Sequence, residues 1–193
     1  VTVPFEPVSI VNWATTGSSP RGIAIDNDGN IYTANYVSDN VSKITPNGTS
    51  TILGTTGSGP VGIAIDNDSN IYTTNLNANN VTKITPNGTS TILGTTGSYP
   101  YGITIDNDSN IYSANWGSDN VTKITPNGTS TVLGTTGTGP YGITIDNDSN
   151  IYTTNYMSNN VSKITTTPAV TVPFEPVSIV NWANTGTYPA GIA

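Results

Sequence analysis

The chain contains no cysteine and no histidine among its 193 residues. Without cysteine there is no disulfide, no thiolate nucleophile and no cysteine-ligated zinc site. Without histidine, the commonest general base and a frequent metal ligand are also missing, so Ser-His-Asp and Cys-His catalysis are excluded. These absences lead us to expect a protein that is not an enzyme and that has no cofactor.

Positive charge is scarce as well. Charged residues make up 9% of the chain, only five of them are Lys or Arg, and the net charge is −7. Four of the five are one lysine that recurs in a repeat: Lys43, Lys83, Lys123 and Lys163. Because binding to nucleic acid needs a patch of Lys and Arg, no nucleic-acid partner is expected. No apolar run approaches the roughly 20 residues of a membrane span either.

A repeat of 40 residues dominates what is present. The segment PRGIAIDNDGNIYTAN at Pro20 recurs with few changes at Pro60, Pro100 and Pro140. Each unit has four short runs rich in β-branched residues, such as GIAID, NIYTTN, NVTKITP and GTSTILGTT, and Asn-Gly marks a turn before the fourth. Four strands in about 40 residues are typical of a β-propeller blade. We therefore predict an all-β fold of four-stranded, propeller-type blades in tandem.

The unit PxGIAIDxxxNIYxxNxxxNxVxKITPxG resembles the NHL repeat over nearly every residue from Pro20 to Thr165. This resemblance implies a blade whose first strand lines a central channel. The chain departs from the NHL pattern in one turn, where the family usually has Gly: only Gly29 keeps it, and serine stands at Ser69, Ser109 and Ser149. A stack of hairpins in another kind of solenoid is the alternative architecture.

The repeat divides the chain into about four blades plus extra edge strands. We expect residues 20–59, 60–99 and 100–139 to be blades 1 to 3, and residues 140–188 to be blade 4 with a longer linker. Residues 1–19 are expected to be a fourth strand and connector, copied at 170–188, and residues 189–193 to start a further blade. Apolar residues on both faces, such as Ile71 and Tyr72, predict sheets packed between neighbouring sheets.

The segment VTVPFEPVSIVNWA occurs twice, at Val1–Ala14 and Val170–Ala183. Its second half, Val8–Ala14, aligns with a fourth strand that has no blade before it. Unpaired edge strands are templates for association. Two interpretations remain open: the chain is a segment of a larger tandem array, or copies of it pair end to end through their edge strands. The expected partners are thus copies of the chain or adjoining repeats.

Acidic turns follow the first strand of each unit. DNDGN and DNDSN place oxygen-bearing side chains at alternate positions, as in calcium loops. Position twelve of such a loop is Val37 rather than Glu, so an ordinary hairpin turn is the preferred interpretation and Ca²⁺ the weak one. The weak metal candidates are Asp26, Asp28, Asp66, Asp68, Asp106, Asp108, Asp146 and Asp148.

Asn-x-Ser/Thr sequons are dense, which makes glycosylation a second candidate property. The alternative is composition, because an Asn-, Thr- and Ser-rich repeat copies one accidental sequon many times. The candidates lie in predicted turns or strand starts: Asn40, Asn47, Asn67, Asn80, Asn87, Asn107, Asn120, Asn127, Asn147 and Asn160. Together with the low charge, they indicate an extracellular or cell-surface protein.

Differences between the repeats concentrate in two loops, one after the second strand and one before the first. In a propeller these two loops lie on the same face. Exposed aromatic rings there could stack on sugars or on a partner protein. The alternatives are packing between blades and neutral drift. The candidates for a ligand-binding face are Tyr36, Trp116, Tyr156, Tyr99, Tyr101 and Tyr141.

The blade motif also resembles that of virginiamycin B lyases, a resemblance that implies a catalytic His and a Glu with a metal. The chain has no His, and its only glutamates, Glu6 and Glu175, lie in the duplicated segment. We therefore expect a non-catalytic extracellular structural protein, a segment or subunit of a tandem array, filament or matrix. The first alternative is a carbohydrate- or protein-binding propeller, and the second is a lyase-like enzyme.

Overall fold

The computed structural model describes residues 9–165. These residues contain fifteen β-strands and no helix, so the prediction of an all-β fold is confirmed. For the same reason, this part of the chain has no helix that could cross a membrane.

The strands form four antiparallel sheets in chain order, the first three of four strands each and the last of three. The first sheet contains β1 (Pro20–Ile25), β2 (Ile31–Asn35), β3 (Asn40–Ile44) and β4 (Ser50–Thr55), and the second contains β5 (Pro60–Ile65), β6 (Ile71–Asn75), β7 (Asn80–Ile84) and β8 (Ser90–Thr95). The third contains β9 (Pro100–Ile105), β10 (Ile111–Asn115), β11 (Asn120–Ile124) and β12 (Ser130–Thr135), and the last contains β13 (Pro140–Ile145), β14 (Ile151–Asn155) and β15 (Asn160–Ile164). We call these sheets blades 1 to 4.

The turn between the first two strands of each blade is organised by one aspartate. In blade 3, Asp106 Oδ1 accepts hydrogen bonds from the backbone N–H groups of Asp108 (3.0 Å) and Asn110 (2.8 Å). Its Oδ2 accepts from Asn110 Nδ2 and from the Tyr112 hydroxyl, both at 2.8 Å. The same four bonds recur in every blade. The aspartate thus ties the turn to the second strand, as an Asx turn does.

Each blade packs against its neighbours through both faces. On β6, Ile71 packs with Tyr32 and Val41 of blade 1, while the adjacent Tyr72 packs with Ile111 of blade 3. Ile71 is fully buried and Tyr72 is 2% exposed. Alternating side chains of a strand point to opposite faces, so this pair covers two separate interfaces. The sequence prediction of sheets packed between sheets is correct.

The inner strands approach one another closely because of glycine. Strands β1, β5, β9 and β13 lie side by side in that order. A Cβ atom added to Gly22 would lie 2.4 Å from the Val61 carbonyl oxygen, and one added to Gly62 would lie 2.4 Å from that of Tyr101. Any side chain at these positions would separate the strands. This contact explains the glycine of Pro-x-Gly in β1, β5 and β9, where Gly22, Gly62 and Gly102 each face such a carbonyl.

A polar layer lies between the apolar contacts and the end of the stack where these glycines are found. The Asn75 side chain is fully buried, and its Nδ2 donates to Asn80 Oδ1 (2.7 Å) and Thr82 Oγ1 (2.8 Å). Its Oδ1 accepts from the Thr73 hydroxyl at 3.0 Å. Burial of an amide costs little when its hydrogen bonds are made, so this layer fixes the strand register without an unpaired polar group.

The two end blades have uncovered faces within the described part of the chain. Ile23 and Ile25 of blade 1 are 71% and 64% exposed. At the other end, Val161 is 62% exposed, whereas its counterparts Val41, Val81 and Val121 are fully buried. The expected fourth strand of blade 4, near Ser178, lies outside the described residues.

Residues 9–16 differ from the expected fourth strand at Val8–Ala14, of which Val8 lies outside the described residues. They form no β-ladder with the described part of the chain. Trp13 nevertheless lies against Gly48, which faces the Trp13 carbonyl. Leu53 of the fourth strand β4 lies in the same way against Gly88, which faces the Leu53 carbonyl. The segment therefore occupies the position of a fourth strand without its hydrogen bonds.

The left-handed position of the Asp-organised turn gives a stability prediction. Gly29 has φ of +78° there, and Ser109 has φ of +60°. A non-glycine residue in this region costs about 1 kcal/mol. We expect Ser109→Gly to raise the free energy of unfolding by about 0.5–1 kcal/mol, and Gly29→Ser to lower it by a similar amount, in urea titrations followed by circular dichroism. Equal effects of the two substitutions in the same direction would contradict this explanation.

The same turn predicts how stability depends on pH. Burial raises the pKa of the Asp106 carboxyl, but hydrogen bonds from Asn110, Tyr112 and the Asp108 amide outweigh burial and hold that pKa below its usual range. A carboxyl of this kind stabilises the fold above its unfolded pKa of about 3.9, and the stabilisation is lost as the pH falls through the folded pKa.

We therefore expect Asp106→Asn to lower the free energy of unfolding by about 1–2 kcal/mol at pH 7 and by progressively less as the pH falls below about 4, as measured in urea titrations across that range. Asp108→Asn is the matched control, because Asp108 is exposed and contributes its backbone N–H to the turn. A difference between wild type and Asp106→Asn that is the same at every pH would contradict this origin of the stability.

Candidate functional site

The two variable loops of each blade meet at one end of the stack. The backbone N–H of Tyr36 donates to the Ser19 carbonyl at 3.0 Å, and the N–H of Trp116 donates to the Tyr99 carbonyl at 3.0 Å. Leu76 and Tyr156 make the equivalent bonds in blades 2 and 4. These bonds join the turn after the second strand to the connection before the first. The aromatic side chains predicted to share a face are therefore brought to the same end.

Four aromatic rings from blades 3 and 4 form one cluster. The Tyr101 and Tyr141 rings stack with centroids 4.5 Å apart and planes 28° apart. Trp116 lies 5.7 Å from Tyr101, 6.1 Å from Tyr141 in an edge-to-face arrangement, and 5.5 Å from Tyr156. The inner strands β9 and β13 supply Tyr101 and Tyr141, and the adjoining turns supply Trp116 and Tyr156. Tyr141 and Tyr156 remain 49% and 71% exposed.

Blade 1 contributes a cation to the same end. The Arg21 guanidinium carbon lies 3.4 Å from the centroid of the Tyr36 ring, within cation–π distance. A cavity of about 490 Å³ opens between the inner strands and is lined by Arg21, Val61, Gly62, Tyr101, Gly102, Tyr141 and Gly142. We call Arg21, Tyr36, Tyr101, Trp116, Tyr141 and Tyr156 the mouth cluster.

The structure adds Arg21 to the ligand-face residues and places Tyr99 outside the aromatic cluster. Arg21 was not among the ligand-face candidates, although it is the only arginine of the chain and stands at the variable position of Pro-x-Gly. A single arginine at a variable position of the repeat was the sequence signal that could have identified Arg21 as a site residue. Tyr99, by contrast, lies at the rim: it is 54% exposed, its ring faces Gly117, and its backbone N–H donates to Asn79 Oδ1 at 2.8 Å.

The acidic turns lie at the opposite end of the stack from the mouth cluster. A cavity of about 340 Å³ between blades 3 and 4 is lined by Asp106, Asp108, Asp146 and neighbouring residues. Within residues 9–165, no group of three or more His, Cys, Asp or Glu side chains is arranged to hold a metal ion. The described residues therefore do not match the Glu–metal site that the lyase resemblance implies, and Glu6 and Glu175 lie outside them. Calcium at the acidic turns stays a prediction.

The sequons fall into two structural groups. Asn47, Asn87, Asn127, Asn67, Asn107 and Asn147 are exposed on turns. The group at the start of the third strand is different: Asn80 Oδ1 accepts from Asn75, and the sequon's Thr82 is 1% exposed. Asn40 and Asn120 are held in the same way, and Asn160 is exposed on the last strand. Glycosylation stays a prediction, with the turn asparagines as the accessible sites.

The mouth cluster has the chemistry of a binding site for a planar or aromatic ligand with polar groups. Tyrosine and tryptophan faces offer large apolar contact areas, and their hydroxyl and indole N–H groups offer hydrogen bonds. An arginine at the edge can donate to a carbonyl or carboxylate. The cavity volume is in the range of small-molecule sites.

Three solved structures with a similar fold are described as lyases. A structure described as a streptogramin B lyase superposes with a TM-score of 0.67 at 22% identity, over 77% of this chain and 52% of that one. Selenomethionine-substituted virginiamycin B lyase from Staphylococcus aureus gives 0.65 at 19%, over 79% and 57%. Its catalytically inactive H270A form with quinupristin gives 0.65 at 21%, over 84% and 59%. The chain thus spans between half and three-fifths of these proteins, and at these identities the likeness establishes the β-propeller fold.

No curated protein sequence matches the chain significantly. A family model does: that of the Virginiamycin B lyase family matches residues 6–177. This match overturns two expectations, that the protein is a non-catalytic structural component of a filament or matrix and that it is not an enzyme. The error came from treating the absence of histidine as the absence of proton transfer, although carboxylates and tyrosines also act as acids and bases. Over most of its length, this chain belongs to the virginiamycin B lyase family.

Proposed function

We propose that the chain acts in a lyase and that the mouth cluster binds its substrate. Two observations support this function: the family match over residues 6–177, and the one end of the stack where aromatic rings, a guanidinium and a cavity occur together. The cavity of about 490 Å³ is the main observation in favour of the mouth cluster as the substrate-binding site. Ligands of propellers and barrels commonly bind where inner strands end, because loops from several blades converge there.

The substrate class is indicated by the shape of the site. Tyr101 and Tyr141 present a stacked pair, and Trp116 closes one side of it. Such a wall favours a ligand with an aromatic or flat amide surface, and Arg21 favours a ligand oxygen on the opposite side of the cavity. Quinupristin, which is bound in the structure of the S. aureus relative, is therefore the probe of choice.

Proton transfer in this chain cannot use histidine, because there is none. The relative named as catalytically inactive carries a histidine-to-alanine substitution, so the two proteins differ at this step. Within residues 9–165, the carboxylates at the mouth end are Asp39 and Asp119, each of which accepts a backbone N–H at 2.7–2.8 Å. The base is then one of these carboxylates, a mouth tyrosine, or a group outside the described residues, such as Glu6 or Glu175.

We also propose NHL-type blades, an extracellular location and glycosylation. The closer likeness of the blades to the NHL repeat rests on the motif alone. An extracellular location and glycosylation at the exposed turn asparagines rest on composition and sequon accessibility. None of them conflicts with a lyase whose binding face is the mouth cluster, because the exposed turn asparagines lie away from it.

Binding is tested by calorimetric titration of quinupristin into the protein. We expect Trp116→Ala to weaken binding about tenfold, because it removes ring contacts with Tyr101 and Tyr141 and leaves a gap beside the stacked pair. Ile92→Ala is the matched control: Ile92 is 55% exposed on the outer strand β8, away from the mouth cluster. Absence of binding, or equal affinity of wild type and Trp116→Ala, would contradict the proposed site.

The reaction type is tested by mass spectrometry after incubation with quinupristin. A lyase breaks a bond by elimination, so the summed mass of the products equals that of the substrate. A hydrolase adds one water molecule. We expect products without added water. Binding with no product would place the reacting group outside this chain and leave the binding face intact, whereas products carrying one added water would contradict a lyase.

A further inference from the structure

The uncovered face of blade 4 repeats a surface that is buried everywhere else in the stack. At the interface of blades 2 and 3, Tyr72 and Val81 pack against Ile111 and Ile124. Blade 4 carries the equivalent Tyr152 and Val161, and Val161 is 62% exposed. The same residues in the same geometry are buried at three successive interfaces. The face is thus shaped to receive the isoleucine face of another blade.

Blade 1 presents that isoleucine face. Ile63 and Ile65 of blade 2 pack against the core formed with Tyr32 and Val41 of blade 1. Ile23 and Ile25 stand at the equivalent positions of blade 1 and are 71% and 64% exposed. The two ends of the stack are therefore complementary to each other and not to themselves.

The inner strand of blade 4 also has room for the backbone carbonyl of another blade. Gly22, Gly62 and Gly102 each face the carbonyl oxygen of a residue on the next inner strand, at 2.4–2.5 Å from an added Cβ. For Gly142, an added Cβ would meet only the Thr154 hydroxyl, at 3.0 Å, among the described residues. The Thr74 hydroxyl donates to the Tyr101 carbonyl at 2.7 Å. Thr154 is its counterpart in blade 4, and the corresponding carbonyl on another copy is that of Arg21.

The segment that precedes blade 1 has backbone N–H groups at the positions that bond to the preceding blade elsewhere in the stack. Between blades 1 and 2, Asp39 accepts from the backbone N–H of Thr56 through its carbonyl (2.8 Å) and from that of Gly59 through Oδ1 (2.7 Å). Asn79 and Asp119 accept the same pair of bonds further along the stack. Asn159 is the equivalent residue of blade 4. The residues that precede blade 1 at the corresponding positions are Thr16 and Ser19.

From these matches we propose that blade 4 of one copy binds blade 1 of a second copy, head to tail. In this arrangement residues 9–16 of the second copy lie beside β15, at the position of a fourth strand. The segment already occupies a fourth-strand position against Gly48, which makes it ready for this pairing.

The contact also extends the mouth cluster. Within the chain, the inner-strand residues Tyr101 and Tyr141 of adjacent blades stack at 4.5 Å. The head-to-tail contact would place Arg21 of the second copy beside Tyr141, at the equivalent adjacent position. A cavity of about 400 Å³ on blade 4, lined by Tyr141, Tyr156, Asn159 and Val161 among others, is where the connection before blade 1 would lie. The association does not depend on the lyase assignment.

The association is tested with the 193-residue chain by sedimentation velocity over a wide range of concentrations. We expect the mass to rise above that of one chain as the concentration increases. Val161→Arg should abolish the rise, because an arginine there would be buried without a partner. Val132→Arg is the matched control, since Val132 is 58% exposed on the outer strand β12, away from either end face. A single-chain mass at every concentration would overturn the proposal.

A mixing experiment separates a head-to-tail contact from any other kind. Ile23→Arg should abolish association by altering the other face. Each variant alone should be a single chain, and a mixture of the two should form a one-to-one complex, because Val161→Arg retains an intact blade 1 face and Ile23→Arg an intact blade 4 face. Failure of the mixture to associate, or survival of the wild-type assembly in either variant, would overturn the proposal.

Gly142→Ala provides a milder second variant. The added methyl would meet the carbonyl of the incoming copy, and we expect association about tenfold weaker with an unchanged melting temperature. Gly62→Ala is its counterpart inside the stack, where the Tyr101 carbonyl is already present, and should lower the melting temperature instead. Equal association by Gly142→Ala and wild type would count against the contact.

Discussion

A blade of this protein has two apolar faces and cannot cover either of them alone. Ile71 and Tyr72, adjacent on one strand, are each buried by a different neighbour. Stacking is therefore the condition for folding, and the close approach at Gly62 and Gly102 is what permits it at the inner strands. The repeat, the Pro-x-Gly motif and the exposed faces at the ends all follow from this one requirement.

Buried polar side chains fix the strands and turns of each blade in the geometry that stacking requires. The buried Asn75 holds strands β6 and β7 in register and, through Thr82, contacts the connection from the preceding blade. Asp106 organises the turn at the far end. Asn75 and Asp106 make these hydrogen bonds within the blades, so the framework does not depend on them from the side chains at the mouth. That is where the four units differ most, and where rings and a guanidinium converge.

The family assignment shows which inference from composition was too strong. Absence of histidine removes particular mechanisms, but it does not remove enzymes, because Asp and Tyr also exchange protons. The family model matches residues 6–177, yet the chain has no histidine, the residue type that is replaced in the catalytically inactive form of the S. aureus relative. A scaffold of stacked blades tolerates changes in its loops without a change of fold.

The sequence by itself determined the blades: their period, their strands, the aspartate turns and the two-sided burial, because these depend on local pattern and on interactions repeated four times. It also indicated that the variable aromatic residues share one end. Only the tertiary structure decided which of them touch. Tyr101 stacks on Tyr141 while Tyr99 stays at the rim, and Arg21 joins the cavity although it lies 80 residues from Tyr101. Such contacts depend on how adjacent blades are placed, which spacing along one strand does not encode.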